Sequence, residues 1–416
     1  MTNDTSGSLV TGVLVVYRMR YDRSGMADFQ QQGPITTLHR LVDSDGGEVS
    51  RFFDHRDVGK RVALILPCLI SEFDGPALPR MVEQLCELDW LGRVIVGVDG
   101  ADSNSFEAAR ALITQLPQAT TTVWNDDDAM EAFDQRLGIA AGSGKGRNLW
   151  RCVGVAAGFE EVDTIVVHDA DISTYESSFV ARLAQPIVDD RLGFDFVKGF
   201  YPRFDSEGLN GRLTRLLVGP LLESLISLAP ENADLRYLGS FRYPLAGEFA
   251  SRISVAQSIA MPEHWGVDIS LLAAVKASGA GIAQTDLSDR YDHKHQLLSA
   301  DNAEVGLHRM ARDVISTLLS IAGRDIVDAD TFDEKLQHAV SAHRANAISN
   351  GIPVNEDEEL VAVKLFAQLI RETQRVLPPD LPSWDQLRCE FPGCVQDLAE
   401  VVDSQNTSPG AISSSP

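Results

Sequence analysis

A β-branched run, Ile165-Val166-Val167, passes directly into His168-Asp169-Ala170-Asp171, and this stretch constrains the chain more than any other. Three successive β-branched residues without polar alternation suit a strand buried on both faces of a parallel sheet. Two carboxylates one residue apart at the carboxyl end of that strand lie where open α/β sheets bind ligands. Both cannot stay ionised in a dry site without a proton or cation between them, and a hard divalent ion with oxygen ligands is the simplest resolution. A strand end with two solvated aspartates is the plain alternative, so the rest of the chain must decide.

The same strand–helix rhythm surrounds it. Strands are expected at 62–67, 94–98, 120–124 and 194–201, with helices at 75–88, 105–116 and 178–188, which implies a doubly wound parallel α/β sheet. Between them, Gly144-Lys145-Gly146 forms a glycine-rich turn running into a helix. It is not a P-loop, because Gly138 is one residue too far from Gly144 and Gly146 stands where Ser or Thr would hold magnesium. A lysine presented at a helix N-terminus still suits a phosphate, against the alternative of a solvated lysine on a loose loop.

A long amphipathic helix is expected at 209–228, opening with Gly211, Arg212 and Thr214. Residues 242–249 read as a turn before a helix, a further helix starts near 265–271, and 286–296 carries His293 and His295. Beyond residue 299 the periodicity is helical at 303–322, 332–348 and 358–376, and a proline-rich stretch then precedes a short end helix. The organisation expected is an N-terminal extension (1–60, with a strand-like 10–17), a catalytic unit (61–300), a helical region (301–402) and a disordered tail (403–416).

Composition narrows the partners. Sixty acidic residues against 36 basic give a formal net charge of −24, which disfavours nucleic acid and anionic membranes. An anionic substrate then needs a local basic pocket. No apolar stretch is long enough to cross a bilayer, and the first eight residues are polar. Five cysteines form no CxxC pair, as expected of free thiols in a reducing cytoplasm.

The order strand–Pro67, strand–Asp99, Gly-Lys145-Gly, Asp169-x-Asp171, Pro244-Leu-Ala-Gly-Glu248, Gly266-Val-Asp268 and His293 resembles that of the glucosyl-3-phosphoglycerate synthases. Phe-Val-Lys-Gly-Phe-Tyr at 196–201, followed by Gly-Arg-Leu-Thr at 211–214, is the most specific part, and the likeness covers 62–323. These are retaining, metal-dependent glucosyltransferases with the GT-A fold, a mixed sheet flanked by helices. The resemblance implies transfer of glucose from a UDP- or GDP-linked donor to 3-phosphoglycerate, with Mg2+ or Mn2+ as cofactor and a homodimer as the assembly. Its product is a precursor of the compatible solute glucosylglycerate. Residue by residue, it implies that Pro67, Leu69, Glu72 and Asp99 line the nucleoside pocket. Lys145 and Asp169 contact the diphosphate and ribose, and Gly247, Glu248 and Asp268 surround the donor sugar. Asp171 and His293 ligate the metal, and Gly211, Arg212, Thr214 and His295 hold the acceptor. Lys145, Glu248 and Asp268 are the candidate catalytic groups.

The chain departs from the family pattern in three places: a nucleotide loop one residue longer before Glu72, Asp268 in place of Glu, and His295 in place of Asn. Mannose as the donor sugar and glycerate as the acceptor remain alternatives within the same chemistry. From other classes, Asp169-Ala-Asp171-Ile-Ser173 also matches the nucleophile loop of haloacid-dehalogenase-type phosphatases, and a non-catalytic nucleotide-sugar sensor is a third reading.

Overall fold

The computed structural model describes residues 31, 33–42, 46–54, 56–293, 306–325, 327–375 and 380–407. The strand expected at 10–17 and the residue His295 lie outside them. Eight strands form one sheet: β1 (Thr36–Leu38), β2 (Val62–Leu69), β3 (Arg93–Asp99), β4 (Ala119–Trp124), β5 (Thr164–Val167), β6 (Phe196–Phe200), β7 (Phe249–Arg252) and β8 (Ile282–Asp286), in the order β1-β8-β6-β7-β5-β2-β3-β4. All pairings are parallel except those of β7, which runs antiparallel to both β5 and β6.

The β-branched run is fully buried in β5, between β2 and β7. Its buried neighbours belong to two apolar layers. One contains Val153, Leu217 and Phe249, and the other Phe179, Val180 and Ala250. Helices therefore cover both faces, as expected of a strand apolar on both sides.

Several sequence expectations are corrected. Residues 249–252 form β7 where the end of a turn and the start of a helix are expected, because four residues that include Ala250 and Ser251 are too few to show alternation. The long helix starts at 212 and not at 209. Residue 211 has φ +69°, a left-handed conformation that suits glycine, and the helix widens into a π turn at Thr214–Val218. The 1–60 extension contributes β1 to the sheet edge, and Phe53 stacks on Trp90 at 3.9 Å between ring centroids. The last helix, Cys394–Thr407, continues past residue 402, because Val395, Leu398 and Val402 are buried against the domain.

Candidate functional site

The carboxyl ends of β2, β3 and β5 open into a cavity of about 500 Å³. Pro67, Leu69, Glu72, Asp99, Lys145, Asp169, Asp171, Gly211, Arg212, Thr214, Asp268 and His293 all line it. The topology thus gathers every described candidate except Gly247 and Glu248.

Lys145, the first residue of the Lys145–Ala156 helix, sits at its centre. Its Nζ lies 2.9 Å from Asp169 Oδ1 and 3.3 Å from Asp268 Oδ2. Burial pushes this ammonium towards neutrality, but Asp169 and Asp268 outweigh it and hold the pKa above the ordinary lysine range. Burial likewise raises Asp169, and Lys145, His293 and Lys198 reverse that, leaving Asp169 ionised. For Asp268, burial wins over Lys145 and Lys198, and its pKa is raised.

Asp171 and His293 face each other, with Oδ2 and Nδ1 3.6 Å apart and both side chains about one-fifth exposed. Two antiparallel segments hold them there. Ile172 bridges to His293, the Ser173 N–H donates to the Asp292 carbonyl at 2.9 Å, and the Asp292 N–H donates to Thr174 Oγ1 at 2.9 Å. One carboxylate oxygen and one imidazole nitrogen, both open to the cavity, form a donor set that fits a hard or borderline divalent ion, whose remaining positions a diphosphate would fill. Among the described residues, no group of three or more His, Cys, Asp and Glu is arranged to hold an ion without such help.

At one end of the cavity, Asp99 terminates β3. Burial raises its pKa to about 6, against hydrogen bonds from Asn148 and Asn125 that lower it. At the other end, Gly211, Arg212 and Thr214 begin the 212–228 helix, with Arg203, Asn210 and Tyr243 beside them. Arg309 and Met310 of the Gly306–Ala322 helix close the wall, so the helical region assigned from residue 301 onward takes part in the site.

Glu248 does not line the cavity. It is fully buried, and its two carboxylate oxygens accept from Tyr201 Oη at 2.5 Å and Tyr291 Oη at 2.6 Å, while the two tyrosine rings stack at 3.5 Å. It lies behind Asp169, whose backbone N–H is 3.5 Å from Oε1. Gly247 keeps the approach open: a Cβ there would meet Asp169 Oδ2 at 2.3 Å. The physical reason is register. Glu248 directly precedes β7 and points into the packed layer with the two tyrosines.

Sequence reasoning missed Lys198. It pairs with Phe249 and Gln284 in the middle of the sheet, is fully buried, and its Nζ lies 4.0 Å from Asp268 Oδ1. A lysine inside an otherwise apolar strand was the available signal.

Among models of known protein families, none matches the chain. Among characterised proteins, it is 30% identical over 403 residues to the glucosyl-3-phosphoglycerate synthase of Persephonella marina, covering 92% of this chain and 100% of that one. It is 32% identical over 412 residues to the enzyme of the same name from Methanococcoides burtonii, covering 91% and 100%. Among solved structures, it superimposes with a TM-score of 0.51 at 26% identity on glucosyl-3-phosphoglycerate synthase from Mycobacterium tuberculosis in complex with Mn2+, uridine diphosphate and phosphoglyceric acid, covering 70% of this chain and 88% of that one.

Proposed function

The chain belongs to the glucosyl-3-phosphoglycerate synthase family, and from that premise we propose that it transfers glucose from UDP-glucose to 3-phosphoglycerate with retention of configuration. One observation carries the reading: nucleotide-, metal- and acceptor-type residues, far apart in sequence, converge on one cavity around Lys145. The phosphatase alternative puts its nucleophile loop after the first strand of its core, whereas Asp169 follows the fifth strand here and is paired with a lysine.

Pro67, Leu69, Glu72 and Asp99 enclose the nucleoside, and Lys145 leaves its carboxylates to meet the donor diphosphate. Asp171 and His293 would hold the divalent cation (Mg2+ or Mn2+), which would supply Lewis-acid neutralisation of the charge that develops on the leaving diphosphate. Gly211, Arg212, Thr214 and the free N–H groups of their helix turn bind the acceptor's phosphate in a chain whose overall charge repels it. Asp268 accepts hydrogen bonds from the donor sugar. With Glu248 locked by two tyrosines, the acceptor hydroxyl attacks the anomeric carbon on the face that the diphosphate leaves, and its proton passes to the departing oxygen.

The assembly is a homodimer acting in the cytoplasm, which sedimentation of the purified protein and fractionation of cells would check. Among the described residues, no helix is long and apolar enough to cross a membrane.

The deciding experiment is nucleotide release from UDP- and GDP-linked glucose and mannose, crossed with 3-phosphoglycerate and glycerate, with and without Mg2+. UDP release that needs both 3-phosphoglycerate and the metal is the expected result. Release only with mannose or with glycerate would revise the substrate, and no release in any combination would overturn the reading.

A further inference from the structure

Two lysines face the carboxylates of the site, and they differ in kind. Lys145 stands at a helix start, lines the cavity and bridges Asp169 and Asp268. Lys198 rises from the centre of the sheet, is absent from the cavity wall, and has a side chain 1% exposed. Its Nζ makes no hydrogen bond, and its near surroundings are Asp268 Oδ1 at 4.0 Å and the face of the Phe249 ring at 5.8 Å. A buried ammonium with no hydrogen bond costs several kcal/mol of desolvation, and burial lowers its pKa against the pull of Asp268, so a lysine here, where Met would fill the space, calls for a role.

Before the donor binds, Lys145 compensates two carboxylates at once. When it turns to the diphosphate, Asp268 keeps only Lys198. Because the β6 backbone is fixed by β7 and β8, that charge cannot follow Lys145 into the cavity. We infer that Lys198 is a positioning residue for glucosyl transfer: it is the fixed counter-ion that keeps Asp268 aimed at the donor sugar after Lys145 has moved to the diphosphate. This rests on the function proposed above and extends it to a residue that never touches substrate.

The test uses the full-length protein with UDP-glucose, 3-phosphoglycerate and Mg2+, and compares wild type, Lys198→Met, Asp268→Asn and the double variant. Lys198→Met should lower kcat about 10- to 100-fold, as expected when a reacting group is misplaced, while the KM for 3-phosphoglycerate and the affinity for UDP, which lacks the glucosyl group, stay unchanged. The double variant should be no slower than Asp268→Asn alone, since an amide needs no counter-ion. A purely structural lysine would instead give losses that multiply, and that result, or a folded Lys198→Met with wild-type kcat, overturns the inference. If the Met variant does not fold, Lys198→Gln carries the same comparison. An inactive wild type would point to the parent reading as the failure, whereas an active wild type with an indifferent Lys198→Met would point to this one.

Discussion

At the scale of single residues, the site is a balance of charges that no one side chain could keep alone. Asp169 stays ionised in a half-buried position because Lys145 is 2.9 Å away, and Asp171 and His293 stay apart at 3.6 Å, their ligand atoms facing each other. Asp171→Ala and His293→Ala should each raise the metal concentration needed for half-maximal turnover and cut kcat about a hundredfold or more, the usual cost of losing stabilisation of a leaving group. A metal titration of initial rates checks this, and wild-type turnover in both variants would refute the assignment. Asp99 supplies a pH dependence. Its folded pKa, about 6, exceeds the ordinary 3.8, so the folded state holds the proton longer than the unfolded chain does. The stability this contributes is complete below the unfolded value and is lost as pH rises through about 6. Relative to Asp99→Asn, the wild type should lose about 1–3 kcal/mol between about pH 4 and about pH 7, read from urea melts. Equal pH profiles for the two proteins would count against it.

At the scale of elements, the edge of the sheet is where the chain guards against its own stickiness. β4 has a partner on one side only, and an open edge invites another strand. The last helix supplies a substitute. Gln405 exchanges two hydrogen bonds with the Trp124 backbone, and Asn406 exchanges two with Thr122. Replacing either with Ala should cost about 1–2 kcal/mol in chemical denaturation, and the pair together should promote association at high protein concentration. Wild-type stability and solubility in the double variant would remove this role. These contacts also mark what was legible in the sequence. The strands of the sheet's first half, the Lys145 turn and the Asp169–Asp171 end were readable, because each is carried by local periodicity or by adjacent residues. The amide cover, the Tyr201–Tyr291 clamp on Glu248 and the role of Lys198 were not. They join groups 43 to 284 residues apart, and a Gln-Asn pair near a chain end has the composition of a solvated tail.

At the scale of the whole molecule, the helical region is tied to the cavity at the end proposed to take the acceptor. Arg212, which lines that end, makes a 2.7 Å ion pair with Glu358 at the start of the Glu356–Glu372 helix. Its neighbour Arg215 is bound differently. Besides pairing with Glu359 at 2.6 Å, it donates to the carbonyls of Leu209 and Asn210, and so fixes the loop ahead of Gly211. Arg215 thus holds structure, whereas Arg212 holds only a carboxylate that is 56% exposed and easily exchanged for a phosphate. In a chain of net charge −24, that carboxylate also occupies one of the few cations open to an anionic acceptor. Removing it should therefore help binding. Glu358→Ala is expected to lower the KM for 3-phosphoglycerate about two- to fivefold, since an exposed ion pair is worth up to about 1 kcal/mol, and to leave kcat alone. The gain should fade at high salt, where the pair is already weakened by screening. A raised KM would mean the opposite arrangement, in which Glu358 aims the guanidinium at the phosphate and the helical region assembles the acceptor site.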